Sequence, residues 1–187
     1  MALKHSTLAS TTLAAVLLFS PALLRGESQA GVPQTRKTPD VARELIDLKS
    51  KAFKVQREAE ILKSVTSNGR MHWQTHAAHL DTLKNHVNDL GKMLARLEEM
   101  KPQASEPQQM AIESAGPHLV AIADQLGGAI RLVNEQRSSV YWSPYRETVA
   151  EVSEHATSLY EKLGTILNYE DAKLRLDKLE LLPASGS

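Results

Sequence analysis

The sequence predicts an all-α protein that folds as an antiparallel up-down-up-down four-helix bundle with a C-terminal helical extension. Three observations support this prediction. Four stretches repeat apolar residues at alternating steps of four and three, the spacing of a buried helical face. Short polar segments containing Gly or Pro separate the stretches, and short connections favour antiparallel neighbours. The sequence contains no strand pattern, glycine-rich phosphate loop or long internal repeat that would favour a different fold.

The first thirty residues are not expected to belong to the bundle. Lys4 precedes an apolar run from Leu13 to Leu24, and a polar stretch then ends at Ser28-Gln29-Ala30. This order is typical of a secretory signal peptide with cleavage after Ala30. An uncleaved membrane anchor is the alternative, but the run is shorter than the roughly twenty residues that span a bilayer. We therefore expect residues 1–30 to be a signal peptide and the mature protein to be periplasmic or secreted.

The mature chain is expected to have three parts. Residues 31–38 are a polar leader without periodicity, which we expect to be disordered. Residues 39–170 hold the four-helix bundle. Residues 171–187 are expected to be a helical extension followed by a flexible C-terminus.

The first two helices have long apolar seams. We expect the first helix to begin at Pro39 with Thr38 as its N-cap, because proline suits the first helical position. Its seam is Val41, Leu45, Leu48, Ala52, Val55, Ala59 and Leu62. The second helix is predicted from about Met71 to Met100. Its seam is His76, Leu80, Leu83, Val87, Leu90, Leu94 and Leu97.

The last two helices follow the same rule. The third runs from near Glu106 to about Gln136, and Gly116-Pro117 predicts a kink within it. Its seam is Ile112, Ala115, Leu119, Ile122, Leu126, Ala129 and Val133. The fourth opens with Ser143 as cap and Pro144 at the first position. Its seam is Tyr145, Val149, Val152, Ala156, Leu159, Leu163 and Ile166, and the leucines that follow are Leu174, Leu176, Leu179, Leu181 and Leu182.

Charge and cysteine content narrow the possible functions. Removing Lys4, Arg25 and Glu27 with the signal peptide leaves 20 basic and 21 acidic side chains of the 22 and 22 in the full chain. With this charge balance, the chain lacks the excess of basic side chains that is typical of nucleic-acid-binding proteins. The chain has no cysteine, which excludes disulfides, thiolate catalysis, iron–sulfur clusters and covalent c-type haem. We expect no nucleic-acid partner and no membrane span in the mature chain.

A histidine stripe on the second helix is the candidate metal site. His72, His76 and His79 occupy positions i, i+4 and i+7, which lie on one helical face. Imidazole is the commonest metal-binding side chain, so these residues could hold copper, zinc or haem iron. Counting residues from the loops places His118 level with His86 and His155 level with His79. The alternative is that these histidines are structural, because the chain lacks Glu-x-x-His pairs and a His-Glu-x-x-His motif. We favour this alternative and expect no cofactor.

An aromatic cluster is the candidate partner-binding site. Tyr141, Trp142 and Tyr145 surround the third loop, and up-down topology brings Trp73 to the same end of the bundle. Trp, Tyr and Arg dominate binding hot spots, so this end is suited to a protein partner. The same residues could instead close the end of the core as a hydrophobic plug.

These patterns favour an exported, non-enzymatic helical bundle that serves as a binding or structural module. No Ser-His-Asp arrangement stands out, and a packed bundle offers few catalytic clefts. The leucines of residues 171–182 would be exposed beyond the bundle, so we expect a protein partner or self-association there. A metal- or haem-binding bundle that uses the stripe on the second helix is the alternative function.

Overall fold

The computed structural model describes residues 40–180 and contains four long helices. They are α1 (Val41–Ser67), α2 (Trp73–Met100), α3 (Glu106–Glu135) and α4 (Ser143–Glu180), with short 3₁₀ turns at Lys101–Gln103 and Arg137–Tyr141. No strand occurs between residues 40 and 180, so the all-α prediction is confirmed. The predicted signal peptide, the leader, and Leu181 and Leu182 lie outside the described residues.

The helix boundaries follow local capping chemistry. Helix α1 begins later than predicted, because the Asp40 carboxylate accepts a hydrogen bond from the Ala42 amide at 3.1 Å and caps the helix. Ser105 and Gln108 form a reciprocal capping box at the start of α3. Helix α3 then continues through Pro117 as a single element to Glu135.

Helices α1 and α2 are joined by contacts near opposite ends. Glu58, late in α1, meets His79, early in α2, whereas Glu44, early in α1, lies 3.8 Å from Arg96, late in α2. These pairings are those expected of antiparallel neighbours. Helix α1 packs on α2 and α4, and α3 packs on the same two helices.

The predicted seams form the core. Every seam residue of α1, α2 and α4 is buried, and Leu119 is the single seam residue of α3 that stays half-buried. The heptad spacing therefore identified the inward face of each helix correctly. Leu90 lies near the centre, where it shares a narrow apolar gap with residues of the other three helices, Leu48, Ala115 and Leu159.

The last ten described residues of α4 leave the core. Residues 171–180 are all exposed, as the predicted helical extension requires. Leu174, Leu176 and Leu179 keep 53%, 61% and 63% of their surface accessible. Among residues 40–180, no helix combines the length and apolarity that crossing a membrane requires.

Candidate functional site

The three histidines predicted as metal ligands have different surroundings. His72 is exposed and precedes α2 as its N-cap residue, although its side chain makes no capping hydrogen bond. His76 is buried in the core, and His79 is hydrogen-bonded to α1. Within residues 40–180, no group of three or more His, Cys, Asp or Glu side chains is arranged to hold a metal ion. The structure therefore does not bring His72, His76 and His79 together around one point.

His76 and Tyr145 form a polar pair inside the core. His76 is 1% exposed and Tyr145 is fully buried. The His76 Nδ1 and the Tyr145 hydroxyl are 3.2 Å apart, and the rings meet edge to face with centroids 5.5 Å apart. Burial lowers the pKa of His76, and the nearby His79 lowers it further. Burial likewise raises the pKa of Tyr145, so both groups are neutral at neutral pH.

His79 connects α2 to α1. Its Nδ1 lies 2.7 Å from Oε1 of Glu58, and both side chains are partly buried. A carboxylate that bonds one ring nitrogen holds the imidazole in a fixed orientation. The sequence pattern did not reveal this bond, because Glu58 lies 21 residues before His79 and only the packing of α1 on α2 brings them together.

The buried histidine predicts that the protein loses stability in mild acid. Because the pKa of His76 is lowered by folding, the unfolded chain takes up protons first as the pH falls below about 6.5. We expect the free energy of unfolding to be level above that pH and to decrease below it. His118, whose pKa is also lowered, should contribute in the same direction.

Urea unfolding between about pH 8 and pH 5 measures this effect. The His76→Gln variant should lose less stability over that range than the parent protein, because glutamine does not titrate. An equal loss in both proteins would show that His76 is not a source of the acid sensitivity.

The aromatic cluster divides into a buried and an exposed part. Tyr145 belongs to the core, whereas Tyr141 and Trp142 remain 48% and 43% exposed. Arg137 stacks on the half-buried Trp73, with its guanidinium carbon 4.4 Å from the ring centroid. The Tyr141 hydroxyl donates to the carbonyl of Met71 at 3.1 Å. The buried Tyr145 and the half-buried Trp73 are consistent with the hydrophobic plug. Tyr141 and Trp142 are the predicted partner-binding residues that remain accessible to a partner.

A second pair of histidines lies between α3 and α4. The rings of His118 and His155 are tilted by 54° with centroids 6.3 Å apart, and both residues are half-buried. Burial lowers the pKa of His118, and His155 and Lys162 add to that effect. Counting residues from the loops paired these histidines with α2 instead. That count compares heights along the bundle, but it does not establish which side of a helix faces which neighbour.

Residues 40–180 include two surface grooves between neighbouring helices. One lies between α2 and α3, has a volume of about 170 Å³ and is lined by Ala77, Leu80, Asp81, Lys84, Ile130, Val133 and Asn134. The other is a wider groove of about 630 Å³ between α1 and α4, with a lining rich in hydroxyl groups that includes Ser64, Ser153 and Thr157. Neither groove includes one of the histidine pairs.

No family model, curated protein or solved structure matches this chain.

Proposed function

We propose that this chain is an exported, non-enzymatic helical module that acts through protein–protein contact, with the projecting end of α4 as its contact surface. The observation that carries the proposal is that all of residues 171–180 are exposed and include three large leucines. Contiguous exposed apolar surface is characteristic of interaction sites. Export follows from the expected signal peptide at residues 1–30.

The exposed apolar residues at this end have the spacing of a second seam. Tyr169, Ala172, Leu176 and Leu179 follow each other at steps of three, four and three, and all four are exposed. Residues with this spacing form one stripe along a helix and suit packing against another helix. We call these four residues the outer seam. Since α4 is continuous with the bundle, its end extends an existing helix and requires no new helix nucleation.

The charges beside the outer seam suit a second copy of this chain. In heptad terms Leu176 and Leu179 take the two core positions, and Lys173 and Glu180 take the same flanking position one heptad apart. An antiparallel pair places Leu176 opposite Leu179 of the other copy. Lys173 then lies beside Glu180 of that copy, and two-fold symmetry repeats this favourable pair. Self-association through α4 is therefore the contact that we propose.

Sedimentation of the full chain over a range of concentrations tests this proposal. We expect a dimer whose population rises with concentration, and we expect Leu176→Asp to convert it to monomer because a carboxylate in the seam would lose its hydration. Truncation after Asp171 should have the same effect while leaving the helicity per residue nearly constant.

Leu174 provides a matched control on the same turn of helix. It is 53% exposed, but it lies on the opposite side of α4 from Leu176 and Leu179. Leu174→Asp should therefore leave the dimer intact. A parent protein that stays monomeric at every concentration would refute self-association, and equal dissociation by Leu174→Asp and Leu176→Asp would refute the outer seam as the interface.

A further inference from the structure

His118 of α3 and His155 of α4 bring two histidine rings together without a side-chain hydrogen bond to either of them in the part of the chain that the structure describes. The hydrogen bonds that histidine side chains make within residues 40–180 belong to His76 and His79, not to this pair. Both imidazoles are half-buried, so they lie near the surface and can be reached by small ions. Two unpaired imidazoles on adjacent helices form a simple donor set for a transition metal.

The spacing of the rings matches that of two imidazoles bound to one ion. A metal–nitrogen bond is about 2 Å long, so two rings on opposite sides of an ion have centroids about 6 Å apart. The centroids of His118 and His155 are 6.3 Å apart. Two rings on adjacent corners of the coordination sphere would lie closer together. The observed centroid distance therefore has the length expected for two imidazoles in trans positions.

We propose that His118 and His155 bind a copper(II) ion that bridges α3 and α4. Copper(II) favours a tetragonal arrangement of nitrogen and oxygen ligands, in which two imidazoles occupy trans positions and water completes the plane. It also heads the affinity order of divalent first-row metals for nitrogen donors, so it suits a site with only two protein ligands. This site uses none of the three α2 histidines that the sequence pattern indicated.

One nearby charge opposes the ion. The positive charge of Lys162 lies close enough to His118 to disfavour protonation of its imidazole. It disfavours a dication for the same reason. Lysine has a long flexible side chain that can move away into water, so its charge weakens the site without blocking it. Replacing Lys162 by Gln should therefore strengthen copper binding. Copper bound elsewhere on the surface, away from Lys162, would not show this effect.

The test uses untagged full-length protein titrated with copper(II), with binding followed by calorimetry and the ligands by electron paramagnetic resonance. We expect hyperfine coupling to two imidazole nitrogens in the parent. His118→Gln and His155→Gln should each remove one of the two nitrogens and weaken binding strongly. Copper should also raise the melting temperature of the parent, because the ion binds the assembled α3–α4 pair.

His72→Gln is the matched control, because His72 is an exposed histidine at the start of α2. This variant should bind copper as the parent does. Circular dichroism establishes that each variant is folded before it is titrated. Absence of two-nitrogen binding in the parent would overturn the proposal, and so would binding that survives both His118→Gln and His155→Gln. Loss of binding in His72→Gln alone would place the metal on the α2 stripe instead.

Discussion

Replacing Leu90 by Ala is expected to lower the free energy of unfolding by about 2–5 kcal/mol, the range for truncating a large aliphatic side chain in a core. Leu90 is 1% exposed and borders residues of all three other helices. The substitution removes apolar surface from the core and leaves a cavity that the surrounding helices fill only in part. Denaturation by urea at neutral pH, followed by circular dichroism, measures the loss.

Ile46→Ala is the control for this experiment. Ile46 is also a large aliphatic residue within a helix, but it is 61% exposed on α1. Its truncation should change the free energy of unfolding by no more than about 0.5 kcal/mol, as is usual at surface positions. Comparable losses at Leu90 and Ile46 would contradict the assignment of the seams to the core.

Replacing Tyr145 by Phe is expected to cost about 1–3 kcal/mol of stability, although the two side chains have nearly the same shape. The hydroxyl of Tyr145 is the hydrogen-bonding partner of Nδ1 of His76, and both residues are enclosed in the core. Without the hydroxyl, this nitrogen loses the hydrogen-bond partner that the structure gives it, and water does not replace it because His76 is 1% exposed. Urea denaturation at about pH 8, where His76 is neutral, isolates this effect.

Tyr141→Phe removes a hydroxyl of the same kind from the surface. Its hydrogen bond to the Met71 carbonyl is 3.1 Å long, but Tyr141 is nearly half exposed. Water can replace the lost donor there, so we expect a clearly smaller effect than at Tyr145. If Tyr141→Phe were as destabilising as Tyr145→Phe, burial of the His76–Tyr145 bond would not explain its contribution.

The helices and their inward faces could be predicted from the sequence because both depend on local periodicity. A residue such as Leu83 recurs in step with other apolar residues, and this repeat selects one face of α2 whatever that face packs against. Helix ends were harder to predict. Asp40 rather than Thr38 caps α1, and the sequence places a capping residue at either position.

The candidate sites were predicted less completely. Periodicity placed His72, His76 and His79 on one face of α2, and this is correct for an isolated helix. Each residue then acquired different surroundings, since His76 meets Tyr145 of α4 and His79 meets Glu58 of α1. Spacing along one helix does not include the side chains that other helices bring to it.

By itself, therefore, the sequence determined four helices and the core-facing side of each. It also placed the leucines at the end of α4 beyond the core of the bundle. The tertiary structure alone decided which polar side chains meet. His118 lies beside His155 because the rotation of α3 about its axis turns it toward α4. The heptad repeat fixes which face of a helix is apolar. The identity of the neighbour at each flank depends on how all four helices pack at once, which no single stretch of sequence encodes.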